Sequence, residues 1–399
     1  LRTAAFYLTC ASAVSVLFSI AVSQILLGLA LVALLASDAR LRLPPIWLPM
    51  ALFMGGTLLS LAFSPDPMQG LNQVRKFFVF AMLLVCYSTL REVADWRRLT
   101  QAWMVVGALV AARGLIQFQE KLQASREAGV DFYQAYIGQR ITGFMGHWMT
   151  FGSLQMYVLL MLLAFLAFSP AARRRLWIWL LCGSLLAAAL LLGFTRSIWL
   201  ASATGLIYLI WCWDRRSLAV LPVLGALGFF LAPASLRSRA ASILQPGRAD
   251  SNLHRVVTWR TGIEMIKAHP LLGVGPEFVG IDFDHYVPAD IPRPLPHGWY
   301  GHLHNIYLHY AAERGIPTML MLLWLLGRIL YDAVGALRRL PPGRGEARFL
   351  LHGAVACVLA TLVVGIFELN LGDSEVLTMF LVIAAAAYAA SETPEAQHA

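Results

Sequence analysis

The sequence predicts an all-α, polytopic membrane protein of about 12 transmembrane helices, with one large periplasmic segment that contains amphipathic helices. Three observations predict it. First, the 399 residues are 59% hydrophobic and only 13% charged, with a mean hydropathy of +0.66; a soluble domain carries about twice that charge fraction. Second, apolar runs of roughly 17–20 residues, the length that crosses a bilayer core, recur from end to end. Third, arginines gather in every second connection between those runs. The alternating pattern of a membrane barrel is absent. So is an internal repeat of the kind that builds transporters from inverted halves.

In chain order, spans are expected at 4–19, 22–37, 46–63, 74–90, 99–118, 148–168, 176–193, 196–213, 217–232, 315–332, 349–367 and 375–390. Only the region around Ser19 to Gln24 separates the first two, and a single kinked element would also fit there. Arg2 ahead of an apolar run resembles a signal peptide. The run continues to Ser37 with no small-x-small cleavage site and no polar sequence behind it, so it reads as the first membrane helices.

Orientation follows from the connections. One set holds Arg40 and Arg42; Arg91, Arg97 and Arg98; Arg173, Arg174 and Arg175; Arg215 and Arg216; then Arg338, Arg339, Arg344 and Arg348. The positive-inside rule assigns these to the cytoplasm, with Arg2 and the C-terminal tail, so both termini are expected there. The protein is then expected in the bacterial inner (cytoplasmic) membrane, with its other connections in the periplasm: 64–73, 119–147, 193–196, 232–304 and 367–375. This divides the chain into an N-terminal bundle at 1–231, a periplasmic segment at 232–304 and C-terminal helices at 305–399. The long segment exceeds an idle connection. It is rich in proline around 287–296 and holds an amphipathic helix candidate at 253–268, with Val256, Val257, Trp259, Ile263 and Ile266 as apolar positions.

The formal charge of +9 could suggest nucleic acid as a partner. The basic residues sit in short turns and not on one polar face, so nucleic acid is excluded and membrane lipids are expected instead. Cys10, Cys86, Cys182, Cys212 and Cys357 are scattered through apolar runs with no CxxC pair, and read as small lipid- or core-facing residues.

The run from Gly301 to Pro317 places His302, His304 and His309 and the pair Glu313-Arg314 against an apolar helix. Titratable groups at the mouth of a membrane helix are costly to hold and point to function. On the same outward side stand Arg196 between two apolar spans, Arg255 and Arg260 on the amphipathic helix, Arg140 before a glycine-rich helix entry, and Arg75 with Lys76 opening another span. Arginines converging at a membrane edge suit a phosphate or pyrophosphate, which the guanidinium fork binds bidentately. A histidine beside them can deprotonate a hydroxyl nucleophile, and the arginines can stabilise charge on a departing phosphate. The chemistry this describes is group transfer from a lipid-linked pyrophosphate.

Each residue also has a plainer reading. Arg196 could snorkel from a helix end; Arg140, Arg75 and Lys76 could anchor the interface; Arg260 could lie on a solvated face. His302 and His304 are disfavoured as a metal pair, because a helix would point them to different faces and no further ligand sits at the right spacing. No metal or cofactor is expected. His309 reads as a packing histidine, and Glu313 and Arg314 could form a local ion pair. Glu368, Asp373 and Glu375 could act as a base or position an acceptor sugar, though a surface cluster is the simpler reading. Gly273-Val274-Gly275-Pro276 is a turn after His269-Pro270-Leu271-Leu272 and not a phosphate loop, having no preceding strand and no following Lys-Ser/Thr.

The run His269 to Pro276, then His304-Asn305 and Glu313-x-Gly315, with Arg255 four residues before Trp259 and Thr195-Arg196-Ser197 opening a mid-chain helix, resembles the signature of the O-antigen ligase and polymerase superfamily. The likeness covers most of the chain and is closest to the ligase branch. It implies a metal-independent, inverting glycosyltransferase with His304, Arg196 and Arg255 as catalytic residues. The remaining candidates, Arg260, His302, Arg140, Arg75 and Glu313, would bind substrate. The implied partners are an undecaprenyl-pyrophosphate-linked glycan donor and a lipid A–core acceptor. An O-antigen polymerase or a protein O-oligosaccharyltransferase would share the donor and differ in the acceptor. A lipid-glycan transporter is the alternative of another class, but it predicts charges at mid-span, whereas nearly all charges here sit at span ends. Two departures stand out: His302 precedes His304, and Pro317 stands where the family more often has glycine.

Overall fold

The computed structural model describes residues 1–243, 250–343 and 345–392. Arg344 and the C-terminal tail beyond Glu392, both assigned above to the cytoplasm, lie outside the described residues, as do 244–249 of the long outward segment. Among the described residues all regular structure is helical. The first half contains α1 (Arg2–Ser15), α2 (Ile20–Leu35), α3 (Trp47–Ala62), α4 (Pro67–Arg75), α5 (Phe77–Thr89), α6 (Val93–Glu127), α7 (Phe132–Ile137), α8 (Trp148–Phe168) and α9 (Leu176–Leu192). The second contains α10 (Arg196–Asp214), α11 (Leu221–Leu231), α12 (Ala234–Ala241), α13 (Asp250–Ala268), α14 (Phe278–Ile281), α15 (Phe283–Tyr286), α16 (Ile306–Arg339), α17 (Glu346–Gly365) and α18 (Ser374–Ser391).

Helix stands at each of the twelve expected positions. Among the described residues, five helices, α6, α8, α16, α17 and α18, are long and apolar enough to cross a membrane, while α2, α3 and α9 are shorter apolar helices. α1 and α2 are separate helices, not one kinked element. Ser19 caps α2, and Ser12 and Ser23 exchange hydroxyl-to-carbonyl hydrogen bonds of 2.7 and 2.9 Å across the pair. The expected span at 217–232 is divided into a 3₁₀ turn, Arg215–Val220, and the short α11, on which no residue is buried.

The main core lies between α8, α10, α17 and α18, where Tyr157, Phe165, Phe349 and Phe380 are fully buried. Contacts sort the connections into two sets. Gly345 N–H donates to the Phe168 carbonyl, Ser169 and Arg97 both meet Glu346, and Arg42 binds Tyr87 and Glu392; these join the arginine-rich turns to one another. Gln73 meets Glu277, and Lys76 donates to the Gly372 carbonyl at 3.0 Å, joining connections of the other set.

The segment between α12 and α16 has its own small core of Val257, Met265, Val274, Phe278, Val279, Phe283 and Leu303, closed against Ala312 of α16. The buried stripe of α13 differs from the apolar one expected. His254, Val257, Thr258, Thr261 and Met265 face inward, whereas Val256 and Ile263 are 53% and 41% exposed. The inward face is partly polar because Thr258 reaches the Leu303 carbonyl at 3.3 Å, and because Gly262 leaves room only for the Leu303 side chain.

The run His269 to Pro276 is stitched to a break in α16. Gly315 has φ +85 and ψ 157, so the helix turns there and frees carbonyls. Val274 N–H takes the Ala312 carbonyl at 2.8 Å, Gly275 N–H takes that of Glu313 at 3.0 Å, and Ile316 N–H takes that of Pro270 at 2.9 Å. Pro317 follows the break, where its missing N–H costs nothing. A Cβ at Gly273 would overlap the Glu313–Arg314 backbone, and one at Gly315 the Leu271 carbonyl. This run therefore sets the entry of α16, and with it the loop just before it.

Candidate active site

At the N-terminal ends of α8, α10 and α16 lies a cavity of about 790 Å³. Its wall carries Arg140, Arg196, Arg239 and Arg255, the histidines 147, 254, 297, 302 and 304, and the carboxylates Glu368 and Asp373. The N-termini of α8 and α10 open on it through Trp148 and Met149, and through Thr195 and Ser197. Helix N-termini carry partial positive charge, which adds to the arginines.

His304 stands just before Asn305, whose side chain caps α16 by accepting from Tyr307 N–H and Leu308 N–H, each at 3.0 Å. It adopts φ +48, and its own N–H donates to His302 Nδ1 at 3.1 Å. The two rings therefore sit 4.1 Å apart on a loop. The expectation that they face different ways fails, because it assumed a helix at this point.

Glu368, from the connection between α17 and α18, joins the site together. One carboxylate oxygen lies 3.2 Å from His304 Nδ1, and the other accepts from Arg255 Nη2 at 2.9 Å. A carboxylate only accepts, so it selects the Nδ1–H tautomer of a neutral imidazole and leaves Nε2 with its lone pair free. His304 Nε2 has no hydrogen-bond partner in the structure. Burial alone would raise the Glu368 carboxyl. The His304 hydrogen bond and the charges of His304, Arg255 and His302 overrule burial and hold it well below the usual carboxylate range. Glu368 is 9% exposed, which corrects its reading as part of a surface cluster: α18 folds back on α17 and carries the connection inward.

Each of the other three arginines donates to uncharged groups. Arg196 donates to the Ser242 carbonyl at 2.8 Å and to Asn252 Oδ1 at 2.7 Å. Arg140 donates to the Ile137 carbonyl at 3.1 Å and to Thr195 Oγ1 at 3.4 Å, with its guanidinium 5.1 Å from the Trp148 ring centre. Arg239 donates Nε–H to the Phe194 carbonyl at 2.9 Å and is 5% exposed. Burial, then the charge of Arg239, works against the charge of Arg140; burial does the same to Arg239. Such a cluster gains when an anion enters. Burial also lowers His254 to about 4 and His302 to about 3, each further lowered by His304.

The structure thus brings together five of the eight expected site residues: His304, Arg196, Arg255, His302 and Arg140. The other three lie elsewhere. Arg260 is paired bidentately with Asp290 on the exposed side of α13, at 2.8 Å for each bond. Arg75 is exposed at the end of α4. Glu313 is 2% exposed and occupied structurally, bound to Arg314 Nε at 2.9 Å and to Glu277 N–H at 3.0 Å. His309 is buried beside Glu313 at 3.6 Å. Sequence reasoning passed over Arg239, and weighed Glu368 as a base or acceptor-positioning group before setting it aside as part of a surface cluster. The Arg237-x-Arg239 spacing on an outward helix was a signal for the first; for the second, 64 residues from His304, no local pattern exists.

Residues 181–323 match the family model for O-Antigen ligase, which supports placing the chain in the O-antigen ligase superfamily. The matched stretch contains Arg196, Arg255 and His304 and stops short of Glu368. No curated protein matches the chain.

Proposed function

Taking the O-antigen ligase domain as premise, we propose that the protein transfers a polysaccharide from undecaprenyl pyrophosphate to a sugar hydroxyl of lipid A–core, at the periplasmic face of the inner membrane. The observation that carries this reading is the Arg255–Glu368–His304 bridge within an arginine-lined cavity. The acceptor hydroxyl gives its proton to His304 Nε2 as its oxygen attacks the anomeric carbon of the donor glycan. The bond from that carbon to the pyrophosphate oxygen breaks, and undecaprenyl pyrophosphate leaves with the bonding pair. Arg196, Arg255, Arg140 and Arg239 meet the charge that develops on it. Both Glu368 oxygens are engaged by His304 and Arg255, and Asp373 accepts from the Thr150 hydroxyl at 2.7 Å, so neither carboxyl group of the wall is given the role of covalent nucleophile. A single displacement with inversion follows.

His304→Ala is expected to abolish transfer from lipid-linked glycan to purified lipid A–core while leaving membrane insertion and donor binding in place. Transfer at the wild-type rate would remove His304 from the role of base. Arginines and not a metal supply the positive charge in this scheme. Transfer is therefore expected to persist in excess chelator. Loss of activity with rescue by a divalent ion would contradict the scheme.

A further inference from the structure

The connection between α17 and α18 lends the cavity Glu368, Leu369, Asn370 and Asp373. Asn370 is the unusual member. It opens the 3₁₀ turn Asn370–Gly372 and is 4% exposed, yet neither its carboxamide nitrogen nor its oxygen has a hydrogen-bond partner. A carboxamide offers two N–H donors and an oxygen with two lone pairs. Leaving all of these idle in a buried wall is unfavourable unless a ligand meets them. The connection does not need the amide for its own shape. Lys76 holds the Gly372 carbonyl, Gly372 N–H takes the Leu369 carbonyl at 3.0 Å, and Asp373 takes the Thr150 hydroxyl at 2.7 Å.

Electrostatics choose the ligand. Arg140, Arg196 and Arg239 enter the cavity from other elements, and phosphates are drawn to them. The α17–α18 connection itself contributes no cation to the wall; it contributes Glu368, paired with Arg255, and Asp373, and carboxylates repel a phosphate. A neutral ring bearing several hydroxyls meets no such repulsion, and an amide can donate to one hydroxyl while accepting from the next. We infer that Asn370 is a specificity-determining residue for the acceptor, its carboxamide holding adjacent hydroxyls of the acceptor sugar so that the reacting hydroxyl faces His304. This deepens the transferase reading above and rests on it.

The test uses the full chain in lipid nanodiscs, undecaprenyl-pyrophosphate-linked glycan as donor and lipid A–core as acceptor, with Asn370→Ala and Asn370→Leu beside wild type. Both variants are expected to raise the acceptor KM about tenfold, the loss of one or two hydrogen bonds, with donor KM and kcat close to wild type. Asn370→Leu, which removes an idle buried amide at similar volume, is expected to unfold at the wild-type temperature or above. An unchanged acceptor KM, or a rise in donor KM instead, overturns the assignment. A lowered unfolding temperature in Asn370→Leu with an unchanged acceptor KM makes the amide structural and overturns it as well. Failure of the wild type itself to glycosylate lipid A–core overturns the transferase reading and this inference together, a result distinct from wild-type transfer that is insensitive to Asn370.

Discussion

Glu368→Gln keeps the side chain's size but lets it donate a hydrogen bond to His304 Nδ1. That drives the imidazole proton onto Nε2, where it blocks proton abstraction. Turnover is expected to fall on the order of 10²–10⁴-fold, with donor binding reduced less and the acid limb of the pH–rate profile displaced. A wild-type rate with an unmoved profile would show that Glu368 does not position His304. The same residue shows where sequence reading stops. Sequence reading singles out Arg196, Arg140, His302 and His304 because they stand near the ends of apolar runs, where charge is costly without a purpose, and Arg255 because it stands on an amphipathic helix. Glu368 and Asn370 share a short connection with Asp373 and Glu375, and that composition also suits an ordinary solvated turn. Only the return of α18 onto α17 turns them inward, and no local spacing encodes that packing.

At the scale of elements, the glycine-rich run works through backbone geometry and not through ligand contacts. Gly273, Gly275 and Gly315 all have positive φ, and the first and last face backbone where a Cβ would stand. Gly273→Ala is therefore expected to cost at least about 2 kcal/mol, combining left-handed strain with a clash that neither backbone can relieve alone. A scanning thermal-unfolding measurement should register it, and activity should fall with the folded fraction. An unfolding temperature equal to wild type would mean that the run does not clamp α16. Its turn chemistry was readable in advance, but its partner was not. The carbonyls it satisfies belong to a helical stretch about forty residues downstream that precedes the expected span at 315–332.

Across the whole molecule, the buried imidazoles set a pH limit on stability. His254 and His302 have folded pKa values near 4 and 3, against 6.5 for the free side chain. Between those values the unfolded chain binds more protons than the folded one. Stability is thus complete above about pH 6.5 and drains as pH falls, by up to about 1.4 kcal/mol per histidine per pH unit. Glu368, depressed from 4.5, adds its own loss below that value. The thermal midpoint should drop between pH 7 and 5, and His254→Gln with His302→Gln should flatten that slope. A midpoint independent of pH over this range would show that the two rings are hydrated in solution. The contacts at 42, 97, 169 and 345–346 join arginine-rich turns to one another, as the alternation of arginines in the sequence leads one to expect.

The carboxylate bridge also bears on when the protein becomes competent during synthesis. Arg255 leaves the ribosome 113 residues before Glu368, and His304 64 residues before it. A nascent chain that already displays the arginines and histidines outside the membrane still lacks the group that fixes the imidazole. Under the proposed transferase reading, turnover then waits until α17 and the connection behind it are in place. Truncated or stalled chains hold a cavity without a trigger.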